Sequence, residues 1–319
     1  MEKDSFGDIN TLQHEERVMK LRKLSSMVAA LFLSLFLAVN AQAFSSFSWD
    51  LSTIGIQAAI AGTGTTSVIN FDQLYGFTNA GNFAPDATVE QDLGADGILN
   101  DGDVFTEFGV LGLVTVDGAG SVFSTPGGDS RVIYYRFNDL QGQIANFNNP
   151  TGTDATIDNF IADPDFFGQL TYDLVFTPGV GTIELLYGVD LFSAPLGTIA
   201  TFELTAGQGT GPQLLAGAGG NSPFSFNINM LSVMDDFWTF NGTKAEDLLA
   251  DGLAITGFAD VNARVTSIVP DADNNQFIIG IENSGTMRHN VVPEPSTILL
   301  LGAGLVGLGL LGRRKMMNK

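Results

Sequence analysis

The chain has 319 residues, no cysteine and a formal charge of −21, with 38 glycines and 25 phenylalanines against five tyrosines and two tryptophans. The missing cysteines exclude a disulfide framework and a thiolate metal site, and a charged fraction of only 15% argues against simple disorder. Residues 44–292 hold five basic side chains (Arg131, Arg136, Lys244, Arg264 and Arg288) against 29 acidic ones, a formal charge of 5 − 29 = −24, which repels phosphate backbones and excludes nucleic acid as a partner.

From Met19 the chain reads as a secretory signal. Lys20, Arg22 and Lys23 precede the 13-residue apolar run Met27–Val39, and Ala41 and Ala43 place small residues at −3 and −1 before Phe44. The run falls short of the roughly 20 residues a membrane span needs. Residues 1–43 are therefore expected to be a signal peptide, removed after Ala43 by signal peptidase once the secretion translocon has engaged it. Residues 1–18 are acidic and polar and stand outside that pattern; either translation starts at Met19 or they extend the positive leader.

Residues 44–290 are expected to form one exported domain. The first feature with chemistry is the stretch Asp92–Asp103. Laid on a calcium loop, Asp92, Asp96, Asn100 and Asp103 place oxygens at positions 1, 5, 9 and 12, with Gly97 at 6 and Leu99 at 8. Calcium takes six to eight oxygens from a tightly curled backbone, and a glycine at 6 permits the curl. Position 3 is Gly94 and position 12 is Asp in place of a bidentate Glu, so a solvated Asp-Gly turn before a strand at Val104 is the competing reading. Asp163 and Asp165 around Pro164, and Asp271, Asp273 and Asn275, are weaker clusters read as turns.

Strict alternation then recurs. Leu170, Tyr172, Leu174 and Phe176 alternate with polar residues, as do Ala200, Phe202 and Leu204, and Phe224, Phe226, Ile228 and Met230; each pattern sends one face to a core and one to water. Residues 110–116, 132–137, 182–187, 261–269 and 277–281 are further strands. Asp117-Gly118, Pro126-Gly127-Gly128, Asn148-Asn149-Pro150, Pro178-Gly179 and Gly219-Gly220-Asn221 mark turns between them. The fold class is all-β, an antiparallel sandwich of jelly-roll type. One short helix is expected, with Thr243 and Glu246 as a capping box and Gly252 as its stop.

The C-terminal segment, residues 291–319, carries the strongest pattern. Val292-Pro293-Glu294-Pro295 precedes an uncharged apolar run from Thr297 to Gly312, and Arg313, Arg314 and Lys315 follow. The prolines favour an exposed extended stretch before a helix. At ~1.5 Å per residue a helical run covers roughly 24 Å, a marginal transmembrane helix, with the basic cluster held on the cytoplasmic side. Gly302, Gly304 and Gly307 spell G-x-G-x-x-G, but without a preceding strand or a following acid the spacing carries no nucleotide reading.

Motif, apolar run and basic cluster in this order, over about residues 292–315, resemble the PEP-CTERM sorting domain. The resemblance implies processing near Pro293-Glu294-Pro295 by an exosortase, a membrane transpeptidase-like cysteine protease. It also implies passage through the inner membrane by way of residues 297–312 in a Gram-negative bacterium that makes exopolysaccharide. The implied destination is the cell surface or extracellular matrix.

Catalysis finds little support. Of the two histidines, His14 precedes the signal, and His289 is expected in a flexible stalk beside the sorting motif, a poor place for a general base. No G-x-S-x-G elbow occurs, and no carboxylate pair stands out for glycoside cleavage. The expectation is a non-catalytic surface or matrix protein linked to exopolysaccharide, adhesion or flocculation. The alternative is a carbohydrate-binding or carbohydrate-active protein, dependent on calcium if the acidic loop binds it, with Trp238 or Trp49 as the sugar platform.

Overall fold

A computed structural model describes residues 47–60, 64–71, 74–77, 87–116, 119–211, 214–215, 218–219 and 221–293. The chain divides into two units, Met1–Ala43 and Phe44–Lys319, and all described residues belong to the second. Ala41, Ala43, Glu294, Pro295 and the basic cluster lie outside them, as do the expected signal helix and transmembrane helix. Among the described residues no helix is long and apolar enough to cross a membrane.

The strands in chain order are β1 (Phe47–Asp50), β2 (Gln57–Ile60), β3 (Gly64–Thr66), β4 (Val68–Phe71), β5 (Leu74–Phe77), β6 (Ala87–Asp92), β7 (Val104–Val116), β8 (Ala119–Ser124), β9 (Ser130–Asn148) and β10 (Thr171–Phe176). They continue with β11 (Thr182–Gly188), β12 (Gly197–Thr210), β13 (Leu214–Leu215), β14 (Ala218–Gly219), β15 (Asn221–Val233), β16 (Trp238–Phe240), β17 (Thr243–Lys244), β18 (Leu253–Asp271) and β19 (Gln276–Pro293). The helices are α1 (Ile157–Ala162) and α2 (Ala245–Ala250).

The fold is all-β and antiparallel, and its main ladder closes on itself. Starting at β7, hydrogen bonding passes to β9, then to β10 and β11, then to β12, β15, β18 and β19. From β19 it passes to β5 and β6, and both return to β7. Two lanes are shared. β10 and β11 follow each other between β9 and β12, and β5 and β6 follow each other between β19 and β7. The ring therefore has eight lanes, each beside its sequence neighbour, and the last lane pairs with the first. Closure removes the exposed edges that a long flat sheet would present.

Opposite walls meet as in a sandwich. Tyr135 of β9 reaches His289 of β19, and Gln91 of β6 reaches Tyr172 of β10, although neither pair belongs to hydrogen-bonded neighbours. The core explains the composition. Phe105, Phe176, Phe224 and Phe226 pack edge to face or stacked in a chain, geometries that the ring quadrupole favours. Glycines make room for these rings: a Cβ on Gly142 would strike the Phe105 ring and the Val175 carbonyl, and one on Gly209 would strike Phe224.

The alternating lanes define two ends. The described residues of the connections 93–103, 149–170, 211–220 and 272–275 lie at one end, called the distal end. The connections 117–129, 189–196 and 234–252 lie at the other, the exit end, where β19 finishes at Pro293. The distal end is covered by loop 93–103 and α1: Leu93, Leu99, Ala155, Ile157 and Phe160 are buried there, and Phe160 meets Phe277 edge on at 5.4 Å. At the exit end a small sheet in the order β17-β16-β1-β4 carries the aromatic group Phe47, Trp49, Phe237, Trp238 and Phe240, all buried.

The helix forecasts need two corrections. Helix α1, with Thr156 as its N-cap accepting from the Asn159 N–H, escaped the periodicity because it spans under two turns. Helix α2 has no side-chain cap bond at Lys244. Glu246 does not reach back to Thr243, as a capping box would require; its carboxylate accepts from the Asp236 N–H at 2.8 Å. Gly252 ends the helix segment with φ 74°, as its sequence position suggested.

Candidate functional site

Two places were singled out by sequence, and the structure adds a third. The first is the sorting boundary. Strand β19 does not stop before the motif: Ala254 pairs with Val292 and Leu253 with Pro293. The proline-rich motif thus starts on the final rung of the closed ladder, and the expected flexible stalk around His289 is overturned. Met287, His289 and Val291 are buried, which is the odd face of a continuing strand.

The second place is the acidic loop between β6 and β7. Gly94 and Gly97 hold φ of 64° and 70°, a left-handed backbone that only glycine adopts cheaply. Within that curl each carboxylate caps a backbone donor. Asp92 Oδ1 accepts from the Gly94 N–H at 2.9 Å, Asp96 Oδ1 from Ile98 at 3.1 Å, and Asp103 Oδ2 from Asn100 at 2.7 Å. The Asn100 amide donates to Asp96 Oδ2 and to the Ile98 carbonyl. Asn275, from the turn between β18 and β19, donates to the Gly94 carbonyl at 2.7 Å, so the two acidic segments are stitched together. Asp101 reaches β9 and accepts from the Phe147 N–H.

Burial pushes the Asp103 carboxyl above the usual range, opposed by the Asn100 hydrogen bond and assisted by the charges of Asp96 and Asp92. The four residues proposed from spacing therefore share one loop. Among the described residues, however, no three Asp, Glu or His side chains gather as a metal would require. The Asp92 and Asp96 bonds are those of Asx turns, and Asp103 reaches back to the Asn100 N–H; together they build the same curl without an ion. Asp271 likewise caps Asp273 and Asn274; Asp163 ends α1 and Asp165 lies in the first turn of the short 3-10 segment Pro164–Gln169.

The third place is a set of polar groups inside the barrel, which the sequence reading missed. His289 is 3% exposed and Glu107 2%. Tyr135 Oη and His289 Nε2 lie 3.1 Å apart, while Phe47, Phe202 and Trp238 surround the imidazole at ring distances of 5.7, 5.7 and 4.8 Å. Burial pushes His289 down to about 3, so the ring is neutral and serves as a strut between walls. Glu107 sits between Val89 and Leu140 in the ladder. Burial raises its carboxyl to about 8, so it holds a proton at neutral pH. Gln91 and Tyr172 bridge the walls nearer the distal end through a 2.8 Å hydrogen bond. The available signal was the alternation Met287, His289, Val291 against Arg288 and Asn290, which extends the 277–281 strand.

Both tryptophans are fully buried. Trp238 stacks on Phe240 at 5.8 Å and meets Trp49 edge on at 5.4 Å. The expectation of a sugar platform at either position is overturned: each belongs to the small-sheet core.

Comparison with known proteins gives one match. Residues 291–315 match the PEP-CTERM protein-sorting motif, one residue longer at its start than the resemblance read from sequence. No curated protein and no solved structure matches the chain. The chain thus carries the sorting motif of an exosortase-targeted, exported surface protein.

Proposed function

We propose that this chain is a non-catalytic structural protein of the cell surface or extracellular matrix. In this reading the translocon exports it, signal peptidase removes residues 1–43, and an exosortase processes it near Pro293-Glu294-Pro295. Residues 297–312 hold it in the inner membrane of a Gram-negative cell until then. The observation that carries the reading is the sorting motif at 291–315 joined without a linker to the last barrel strand. The barrel is then the delivered cargo, and its work lies in exopolysaccharide attachment, adhesion or flocculation.

The interior supports a cargo that does no chemistry. The one histidine of the exported part is buried, neutral and hydrogen-bonded to Tyr135. Glu107 is protonated at neutral pH and walled in by Val89 and Leu140, so neither group meets substrate as an acid or base. The carbohydrate-binding alternative loses its two aromatic anchors to the core. Deleting the gene and scoring cell aggregation and matrix retention tests the proposal: loss of either supports it, and wild-type behaviour in both counts against it.

A further inference from the structure

The barrel has a polarity that the sorting motif alone does not reveal. Because the lanes alternate, the chain both enters and leaves the ring at the exit end. Strand β1 lies in the small sheet there, only four residues (47 − 43) after Ala43, and β19 finishes there at Pro293. Three residues (294–296) then separate Pro293 from the apolar run at Thr297, four Cα steps in all (297 − 293). Fully extended, that segment reaches at most ~14 Å. While the tail is membrane-bound, the exit end is thereby held against the bilayer and the distal end faces away.

The exit end carries an apolar hairpin tip. Between β11 and β12, Val189, Phe192 and Leu196 are 50%, 61% and 52% exposed. The hairpin is built rather than loose: Asp190 accepts from the N–H groups of Phe192 and Ser193 and from the Ser193 hydroxyl. These bonds hold the Asp190 carboxyl below its usual range, led by the Ser193 hydroxyl, so the one charged group of the tip stays ionised and is turned back onto the hairpin's own donors. Three large apolar side chains at a fixed turn are the kind of exposed patch that marks a contact surface. Charge does not separate the two ends: the distal connections hold Asp96, Asp101, Asp163, Asp165 and Asp273 with no Lys or Arg, and the exit connection 234–252 holds Asp235, Asp236, Glu246, Asp247 and Asp251 against Lys244. What sets the exit end apart is its nearness to the tail, together with three exposed apolar side chains in one hairpin, where distal helix α1 exposes Ile161.

We infer that, before processing, the hairpin Val189–Leu196 dips Phe192 and its apolar neighbours into the outer face of the bilayer that holds residues 297–312. The contact sets the barrel upright, with the sorting motif held at the membrane surface where a membrane-embedded protease works. Interfacial apolar side chains bind the headgroup boundary this way without spanning. The inference rests on the membrane-tether reading above.

The absence of cysteine makes the test direct. In the full chain, Ala194→Cys, Asn274→Cys and Leu305→Cys are each labelled with an environment-sensitive fluorophore. The proteins are reconstituted in vesicles of phosphatidylethanolamine and phosphatidylglycerol, with and without lipids bearing a nitroxide quencher. The expected result is a blue shift and lipid quenching at 194 and 305, and neither at 274. The double substitution Phe192→Asp, Leu196→Asp in the Ala194→Cys chain should abolish quenching at 194. The same pair in the Leu305→Cys chain should leave quenching at 305 intact. An unquenched label at 305 overturns the tether itself and the inference with it. Quenching at 305 without quenching at 194 overturns the hairpin contact alone. A blue shift at 194 with no lipid quenching places another protein copy on the tip and also overturns it.

Discussion

Glu107 offers the sharpest quantitative test of the barrel interior. Its folded carboxyl titrates at about 8 against an ordinary value of 4.5, and burial is the cause. Between those values the folded state binds a proton that the unfolded state has released. Stability therefore falls as pH rises, by about 1.4 kcal/mol per pH unit from this group. Across the whole window the loss is about 5 kcal/mol, a large share of the 5–15 kcal/mol typical of a domain. Glu107→Gln keeps the shape and removes the titration. Urea unfolding of residues 44–293, wild type and variant, at pH 4.5, 6, 7 and 8 reads the difference. The variant should gain on the wild type steadily with pH, and the difference, whatever its starting value, should widen by several kcal/mol. Parallel profiles would refute the burial of an unpaired carboxyl at this position.

The remaining predictions address other parts of the account. His289 is held down at about 3 against 6.5, so the unfolded state binds the extra proton between those values and stability falls as pH drops through them; in residues 44–293, which lack His14, an imidazole signal titrating between pH 5 and 8 would contradict this. Between pH 4.5 and 6.5 the slopes of Glu107 and His289 oppose each other, so these two groups together predict a plateau there, with losses on both sides. Gly142→Ala should cost at least about 2 kcal/mol, because its methyl meets the Val175 carbonyl and the Phe105 ring; an unchanged denaturation midpoint would reject the close approach of these walls. Melting with calcium and then with chelator should give one midpoint, since the loop carboxylates already cap backbone donors; a calcium-dependent rise would reinstate the metal reading of Asp92, Asp96, Asn100 and Asp103.

Much of the fold was legible in local pattern. The alternations at 170–176, 200–204 and 224–230 became β10, β12 and β15, and the glycine and proline turns at 126–128 and 178–179 fall between strands. Closure of the ladder was not legible. It depends on β19 pairing with β6 and β5, 184 (276 − 92) to 213 (287 − 74) residues away in sequence, and alternation says which face a residue takes but not which strand it meets. The proximity of His289 to two prolines suggested a stalk. A closing strand overrides that cue, because burying Met287, His289 and Val291 completes the last wall. Trp238 stands as a candidate sugar platform in the sequence, with Asp235 and Asp236 just before it. Both acids lie in the turn before β16, and the strand carries the indole inward.

Replacing Pro293-Glu294-Pro295 with three alanines, in a bacterium that has an exosortase, tests the central claim most directly. Residues 44–292 keep their sequence, and only the motif at the end of β19 changes. The account predicts that the wild-type protein leaves the inner membrane and reaches the surface with a mass that lacks the apolar run and basic cluster. The alanine variant should stay in the membrane at a mass that retains them. Equal release and equal mass for the two proteins would contradict it.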